Sequence, residues 1–291
     1  MQSDARLSYW LKGQEEQNFG DLLSELLLES FRETRGRSPG RLTPAHDFDV
    51  VHLIGSVISD HHIASDLAHA RAMPEQPIVF WGCGLRAGKP PRRALARHCR
   101  FLGVRGPLSR DILKLPADTP CVDPGLLAPI LRRARRASRR ATVSLCVPHF
   151  LEPRDDADLL DQTKADRIAR PNISMARPDL IDLIDLISGA DFVLAGALHA
   201  AIVAAAYGVP FAYFDSGKID VPFKWRDFSA SIQVPTLFAR SVAEGKTLYA
   251  ERTQPNLRLP PLVPLLDCAP FRAPKGLLDR AGAFDARQRA P

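Results

Sequence analysis

The chain has 291 residues, 45% hydrophobic and 25% charged, with a formal net charge of +6. These proportions are ordinary for a globular protein with a sizeable core. No apolar run approaches the roughly 18–20 residues that cross a bilayer, and the first ten residues lack a signal-peptide core. The cysteines at positions 83, 99, 121, 146 and 268 are scattered, odd in number and without a CxxC pair. That pattern argues against a zinc site or a disulfide framework and leads to the expectation of a soluble cytoplasmic protein.

Arg6–Trp10 leads into a polar loop ending in Asn18-Phe19-Gly20-Asp21. The spacing predicts a helix over Asp21–Phe31, with Leu22, Leu23, Leu26 and Leu27 on one face. Asp21 is placed either to cap that helix or, with Asn18, to bind or deprotonate a hydroxyl in a cleft. Val50–Ile54 predicts a short buried strand ending at Gly55-Ser56, followed by a helix around Ile63–Ala72. His52 falls inside that strand and reads as a core residue. His61-His62 lacks carboxylates at metal-ligand spacing, so no metal is expected.

Ile78–Trp81 predicts a second strand, ending in Gly82-Cys83-Gly84. The spacing to Gly88 is wrong for a dinucleotide fingerprint, and no acidic residue follows at the required distance. These glycines read instead as allowing close backbone approach at a cleft. Phe101–Val104 is a third strand, delivering Arg105 just before Gly106, where a guanidinium can hold a carboxylate or phosphate bidentately. Cys121-Val122 then precedes the turn and helix start Asp123-Pro124-Gly125.

Arg132, Arg133, Arg135, Arg136, Arg139 and Arg140 crowd one segment. It reads as a solvated helix end or linker, or as a contact with an anionic membrane surface. Without interleaved aromatics or a reading motif, nucleic-acid binding is not expected. Thr142–Val147 is β-rich and delivers His149 on the cleft side; Asp179–Ser188 has helical spacing. Asp191–Phe214 reads as a complete unit: strand Phe192–Ala195, helix Ala200–Tyr207, Gly208 at its C′ position, Pro210 as stop, then a strand. His199 therefore stands at a helix N-terminus beyond a strand's carboxyl end, where free N–H groups attract anions. The helix dipole disfavours an imidazolium there, but a bound phosphate or carboxylate would restore its proton. Such a histidine becomes a general acid when an anionic substrate arrives.

Strands alternating with helices predict an α/β protein of two doubly wound, Rossmann-like domains with parallel sheets. The expected divisions are residues 1–135, residues 136–265 and a tail of residues 266–291 that packs back in part.

Taken together, the motifs resemble the polysaccharide pyruvyl transferase family, particularly members acting on bacterial exopolysaccharides. The resemblance rests on Tyr9-Trp10, Asn18-Phe19-Gly20-Asp21, Arg105-Gly106 with Ser109, and Asp123-Pro124. It continues through Pro148-His149, Ala197-Leu198-His199, Gly208-Val209-Pro210 and Phe223-Lys224-Trp225-Arg226-Asp227-Phe228. It implies a GT-B-like arrangement with the active site between an acceptor-side and a donor-side domain. It also implies phosphoenolpyruvate as co-substrate, no further cofactor, and transfer of pyruvate as a ketal onto two hydroxyls of one sugar. The acceptor would be an exopolysaccharide or its lipid-linked repeat unit, at the inner face of the membrane in the second case.

The family's histidine corresponds to His199 and its arginine to Arg105. With them, Leu198, His149 and Lys224 form the expected donor-binding set; Asn18, Gly20 and Asp21 form the acceptor set, with Asp21 as base. Many members carry arginine where this chain has Ala197, and Lys218, Lys224 and Arg226 are candidates to replace it. Two other readings fit the same architecture: a glycosyltransferase using a nucleotide sugar, and a non-catalytic sugar- or anion-binding relative.

Overall fold

Short runs rich in valine, isoleucine and phenylalanine become strands here because both of their faces are covered. The computed structural model describes residues 6–8, 16–32, 42–69, 77–134 and 142–289. Tyr9-Trp10 and the arginines at 135, 136, 139 and 140 lie outside the described residues.

In the first half the strands are β1 (Arg6–Leu7), β2 (Glu16–Asn18), β3 (Val50–His52), β4 (Ile78–Cys83) and β5 (Cys99–Val104). Four of them form a parallel sheet in the order β1-β3-β4-β5. In the second half the strands are β6 (Ser144–Val147), β7 (Arg167–Ile168), β8 (Asn172–Ser174), β9 (Phe192–Ala195), β10 (Phe211–Phe214) and β11 (Phe238–Ala239). Five of these make a second parallel sheet, ordered β11-β10-β9-β6-β7.

Only the second sheet has the expected doubly wound order. Its chain enters at β6, moves out to β7, then returns to β9 on the other side of β6. The reversal creates a crevice at the carboxyl ends of β6 and β9, the place where open α/β sheets bind ligands. In the first sheet β1 is an edge strand with β3 as its neighbour, so the described strands wind in one direction.

The two halves are tied together at several points. β2 pairs antiparallel with β8, with Gln17 opposite Ile173. The Phe19 N–H donates to the Pro171 carbonyl at 2.8 Å. The helix that follows spans Phe19–Ser30, starting two residues earlier than the sequence predicts. Its apolar face works as expected: Leu22, Leu23, Leu26 and Leu27 are all buried, in one continuous cluster with Val79 and Trp81 of the first sheet and Val193 and Phe211 of the second. Burial of each such leucine contributes about 1.5–3 kcal/mol before entropy is counted.

A buried polar clamp closes the other side. Helix Pro107–Leu113 begins after Gly106, and helix Pro222–Ser231 carries Asp227. The Ser109 N–H and hydroxyl donate to the two Asp227 carboxylate oxygens at 2.9 and 2.5 Å, and both residues are buried. A Cβ on Gly106 would sit 2.0 Å from the Asp227 carbonyl oxygen, so only glycine admits this approach. The C-terminal segment returns to the first sheet, where Leu265 accepts the Trp81 indole N–H at 2.8 Å. It ends in helix Lys275–Arg289, with Leu277, Ala281 and Phe284 buried.

Candidate active site

The loops after β3, β4, β5, β6 and β9, the first turn of helix Phe19–Ser30 and the start of helix Pro222–Ser231 surround one cleft of about 440 Å³. Of the residues singled out from the sequence as donor or acceptor ligands, Asn18, Gly20, Asp21, Arg105, His149, Leu198, His199 and Lys224 line it. Lys218 and Arg226, the other candidates to replace the family arginine, do not line it. Lys218 is exposed, and Arg226 lies over the Phe223 ring at 5.9 Å.

His199 is built by the local sequence. Ala197 is the N-cap of helix Leu198–Tyr207 and supplies no side-chain acceptor, so the first helical N–H groups face the crevice uncapped. Gly208 closes the helix in the left-handed region, with φ 71°, a conformation that needs no Cβ. The imidazole is packed under helix Phe19–Ser30: a Cβ on Gly20 would lie 2.0 Å from His199 Nδ1. Burial pushes the His199 pKa down to about 4; Asp123 works upward, while Arg105 and Lys224 add to the lowering. In the free cleft at neutral pH, His199 is therefore uncharged.

Arg105 is almost wholly buried. Its Nε donates to Asp123 Oδ2 at 2.8 Å and one Nη donates to the Ser56 hydroxyl at 2.7 Å. The other terminal nitrogen, Nη2, makes no hydrogen bond among the described residues. Asp123 is the hub of this arrangement, fully buried, with Oδ1 accepting the Gly125 N–H at 2.9 Å and Oδ2 lying 3.9 Å from His199 Nε2. The sequence marks Asp123 as a turn residue and as part of the family resemblance, without a role in the site. Its partner Arg105 stands 18 positions away, beyond any local pattern.

Asp21 does not cap its helix. The N-cap is Asn18, which makes no side-chain cap bond; its side-chain amide instead donates to Asp21 Oδ2 at 2.7 Å. The Asn18 N–H, which a side chain three residues past the cap could accept in a capping box, donates instead to the Gln17 side-chain carbonyl at 2.8 Å. Burial pushes the Asp21 carboxyl up to about 6, against the lowering effect of the Asn18 bond and of Lys224, Arg105 and Arg86.

On the opposite wall Lys224 Nζ pairs with Asp220 Oδ2 at 2.7 Å. Burial lowers the Lys224 pKa, and Asp220 works against that. His149 Nδ1 accepts the Leu151 N–H at 3.3 Å, which places the ring proton on Nε2. That nitrogen lies 3.5 Å from Asp220 Oδ2, too long for a good hydrogen bond. His149 and Lys224 together hold the Asp220 carboxyl well below the usual carboxylate range.

Among the described residues, three buried nitrogens of the cleft lining make no hydrogen bond: Arg105 Nη2, His149 Nε2, which lies 3.5 Å from Asp220, and His199 Nε2, 3.9 Å from Asp123. Buried polar atoms are normally satisfied, and acceptor oxygens of a small anion would satisfy these. Sequence reading missed Ser56, His61, His62, Arg86 and Asp220, which also line the cleft. Ser56 was recoverable in principle, because Gly55-Ser56 follows a strand as Arg105 does.

Gly20 gives a direct check on this packing. Gly20→Ala should force the imidazole aside at an overpacking cost of about 1–3 kcal/mol. The expected result is a kcat lowered at least tenfold with the unfolding midpoint down by only a few degrees, measured by steady-state kinetics and thermal denaturation.

The model of the polysaccharide pyruvyl transferase family matches residues 18–218. No curated protein and no solved structure matches the chain.

Proposed function

Because the chain belongs to the polysaccharide pyruvyl transferase family, we propose that it moves pyruvate from phosphoenolpyruvate onto two hydroxyls of one saccharide unit, as a ketal. The observation that carries the donor assignment is the set of three buried nitrogens, on Arg105, His149 and His199, that make no hydrogen bond among the described residues. Phosphoenolpyruvate brings a phosphate and a carboxylate, whose oxygens suit a guanidinium, imidazole N–H groups and uncapped helix N–H groups. Lys224 takes the place of the arginine that Ala197 lacks, because it is the candidate of the three that reaches the cleft.

The donor's negative charge raises the His199 pKa, and the imidazolium then protonates the enol methylene carbon. The central carbon accepts an oxygen from the first acceptor hydroxyl, whose proton goes to Asp21. Loss of phosphate from that carbon and attack by the second hydroxyl close the ketal. The second hydroxyl proton leaves with the phosphate, so one inorganic phosphate is released per ketal formed. Asn18 and Gly20 sit beside Asp21 and line the acceptor's entry. An exopolysaccharide repeat unit, carried on a lipid at the inner membrane face, is the acceptor this reading favours. No helix among the described residues is long and apolar enough to cross a membrane, so such an acceptor would be met at the surface.

Donor binding is expected to take up a proton at His199. Calorimetric titration with phosphoenolpyruvate near pH 7, in buffers of different ionisation enthalpy, should show more proton uptake by wild type than by His199→Ala. Equal uptake by both proteins would remove His199 as the acid. Stabilisation against heat by a nucleotide sugar, and none by phosphoenolpyruvate, would overturn the donor assignment itself.

Asp21 carries a stability signature as well. Its pKa is raised when folded, so its favourable contribution is complete below the unfolded value of 3.8 and is lost as pH rises through about 6. Asp21→Asn should therefore be more stable than wild type at pH 8, by about 1–3 kcal/mol, and lose that advantage near pH 4. The same variant should lose most of its transfer activity. Denaturant titrations at the two pH values check the first expectation, and phosphate release checks the second.

A further inference from the structure

The cleft has a second basic group that the chemistry above leaves unused. His61 and His62 open helix Asp60–His69 after β3, and Arg86 follows β4. All three line the cleft. Their positions are fixed by backbone bonds between the two loops: Gly84 N–H to the Gly55 carbonyl at 2.9 Å, Ile58 N–H to Gly84 at 3.2 Å, and Arg86 N–H to Ile58 at 3.2 Å. Ser59 holds the His62 ring through a 2.8 Å contact with Nδ1, and the two imidazoles meet edge to face at 5.5 Å.

The carboxylates nearest in sequence are committed elsewhere. Asp60 accepts the Arg92 N–H and Nε at 2.7 and 2.8 Å. Asp66 accepts from the Ser8 hydroxyl at 3.1 Å and meets His52 Nε2 at 2.7 Å. Among the described residues, the carboxylates that these two loops carry are thus committed; Asp21, whose pKa Arg86 helps to lower, is the acceptor-side carboxylate already described. Metal binding does not fit, since among the described residues no cluster of metal-ligating groups forms, and an arginine beside two imidazoles repels cations.

We infer that His61, His62 and Arg86 form an anion subsite on the acceptor side of the cleft, which selects acceptors carrying a negative charge close to the pyruvylated sugar. The inference rests on the transferase reading for the word acceptor, but not for the subsite. Burial above all pushes the His62 pKa to about 4, with His52, Arg86 and His61 adding and Asp66 opposing, so near neutral pH this ring is an uncharged hydrogen-bonding group beside the Arg86 charge. Two sources supply the chemistry: a sugar carboxylate, as in a uronic acid, or the diphosphate that joins a repeat unit to its lipid. Arg86 is exposed, so its replacement should leave the fold intact.

The test is binding by calorimetry with the donor site saturated by phosphoenolpyruvate, using methyl glucuronide, methyl glucoside and inorganic pyrophosphate as probes. The expected result is at least tenfold tighter binding of one charged probe than of the glucoside, with the preference reduced to under threefold in Arg86→Ala. Which charged probe wins identifies the source. Equal binding of charged and neutral probes by wild type would overturn the subsite. A drop in phosphoenolpyruvate affinity of more than threefold in Arg86→Ala would also overturn it, by assigning Arg86 to the donor. Failure of phosphoenolpyruvate to bind wild type counts against the transferase reading alone, and the three probes then test the subsite on the free protein.

Discussion

Replacing His199 by alanine is expected to lower acceptor-dependent phosphate release by two to four orders of magnitude, the range that positioned general acids contribute. The fold should survive. The imidazole is largely buried, uncharged in the free cleft and without a hydrogen bond at Nε2 among the described residues, so the substitution leaves a cavity but breaks no ion pair. The lost methylene and ring contacts cost a few kcal/mol at most. Because His199 acts after the donor is bound, the loss should fall on kcat, with the phosphoenolpyruvate KM changed by less than tenfold. Single-turnover measurements with wild type and variant at matched donor saturation check this split. A variant with a wild-type kcat would leave the enol carbon without its acid.

Arg105→Ala should be more damaging still, because it strikes binding and folding together. The guanidinium holds Asp123 at 2.8 Å in a fully buried pair. Removing one partner of such a pair costs about 3–5 kcal/mol, since the other charge stays buried and uncompensated. Loss of the free Nη2 should also raise the donor's dissociation constant at least a hundredfold. The two effects separate with a second variant: Arg105→Met combined with Asp123→Asn removes both charges and should recover most of the stability, but none of the donor affinity. Denaturant unfolding and calorimetric binding on the same pair of proteins read each effect independently. Recovery of donor binding in the double variant would show that Arg105 serves the fold alone.

Much of the second half was legible because its signals are local. Alanine-rich Leu198–Tyr207, the left-handed Gly208 and the stop at Pro210 lie within one unit, and together they put His199 at a helix start. The strand ahead of Arg105 did the same for the first half. What escaped depends on partners far apart in sequence. The resemblance includes Asp123 and Asp227 but gives neither a partner: Arg105 and His199 close on the first, and Ser109, 118 positions away, docks against the second. β1, β7 and β11 are two residues long, too short to show any period. Asp21 lines the cleft, the position one of its two readings gives it. The cap reading failed because the helix starts two residues earlier, at Phe19, and moves the carboxylate off the cap position.

The most direct test follows the pyruvyl carbon. Wild-type protein would be incubated with phosphoenolpyruvate labelled with carbon-13 at the central carbon and a panel of repeat-unit oligosaccharides, neutral and uronate-containing. The expected result is the label in a quaternary ketal carbon of one saccharide, with one inorganic phosphate released for each label incorporated. Phosphate release with the label left in free pyruvate, or saccharide modification without consumption of phosphoenolpyruvate, would contradict ketal transfer at this site.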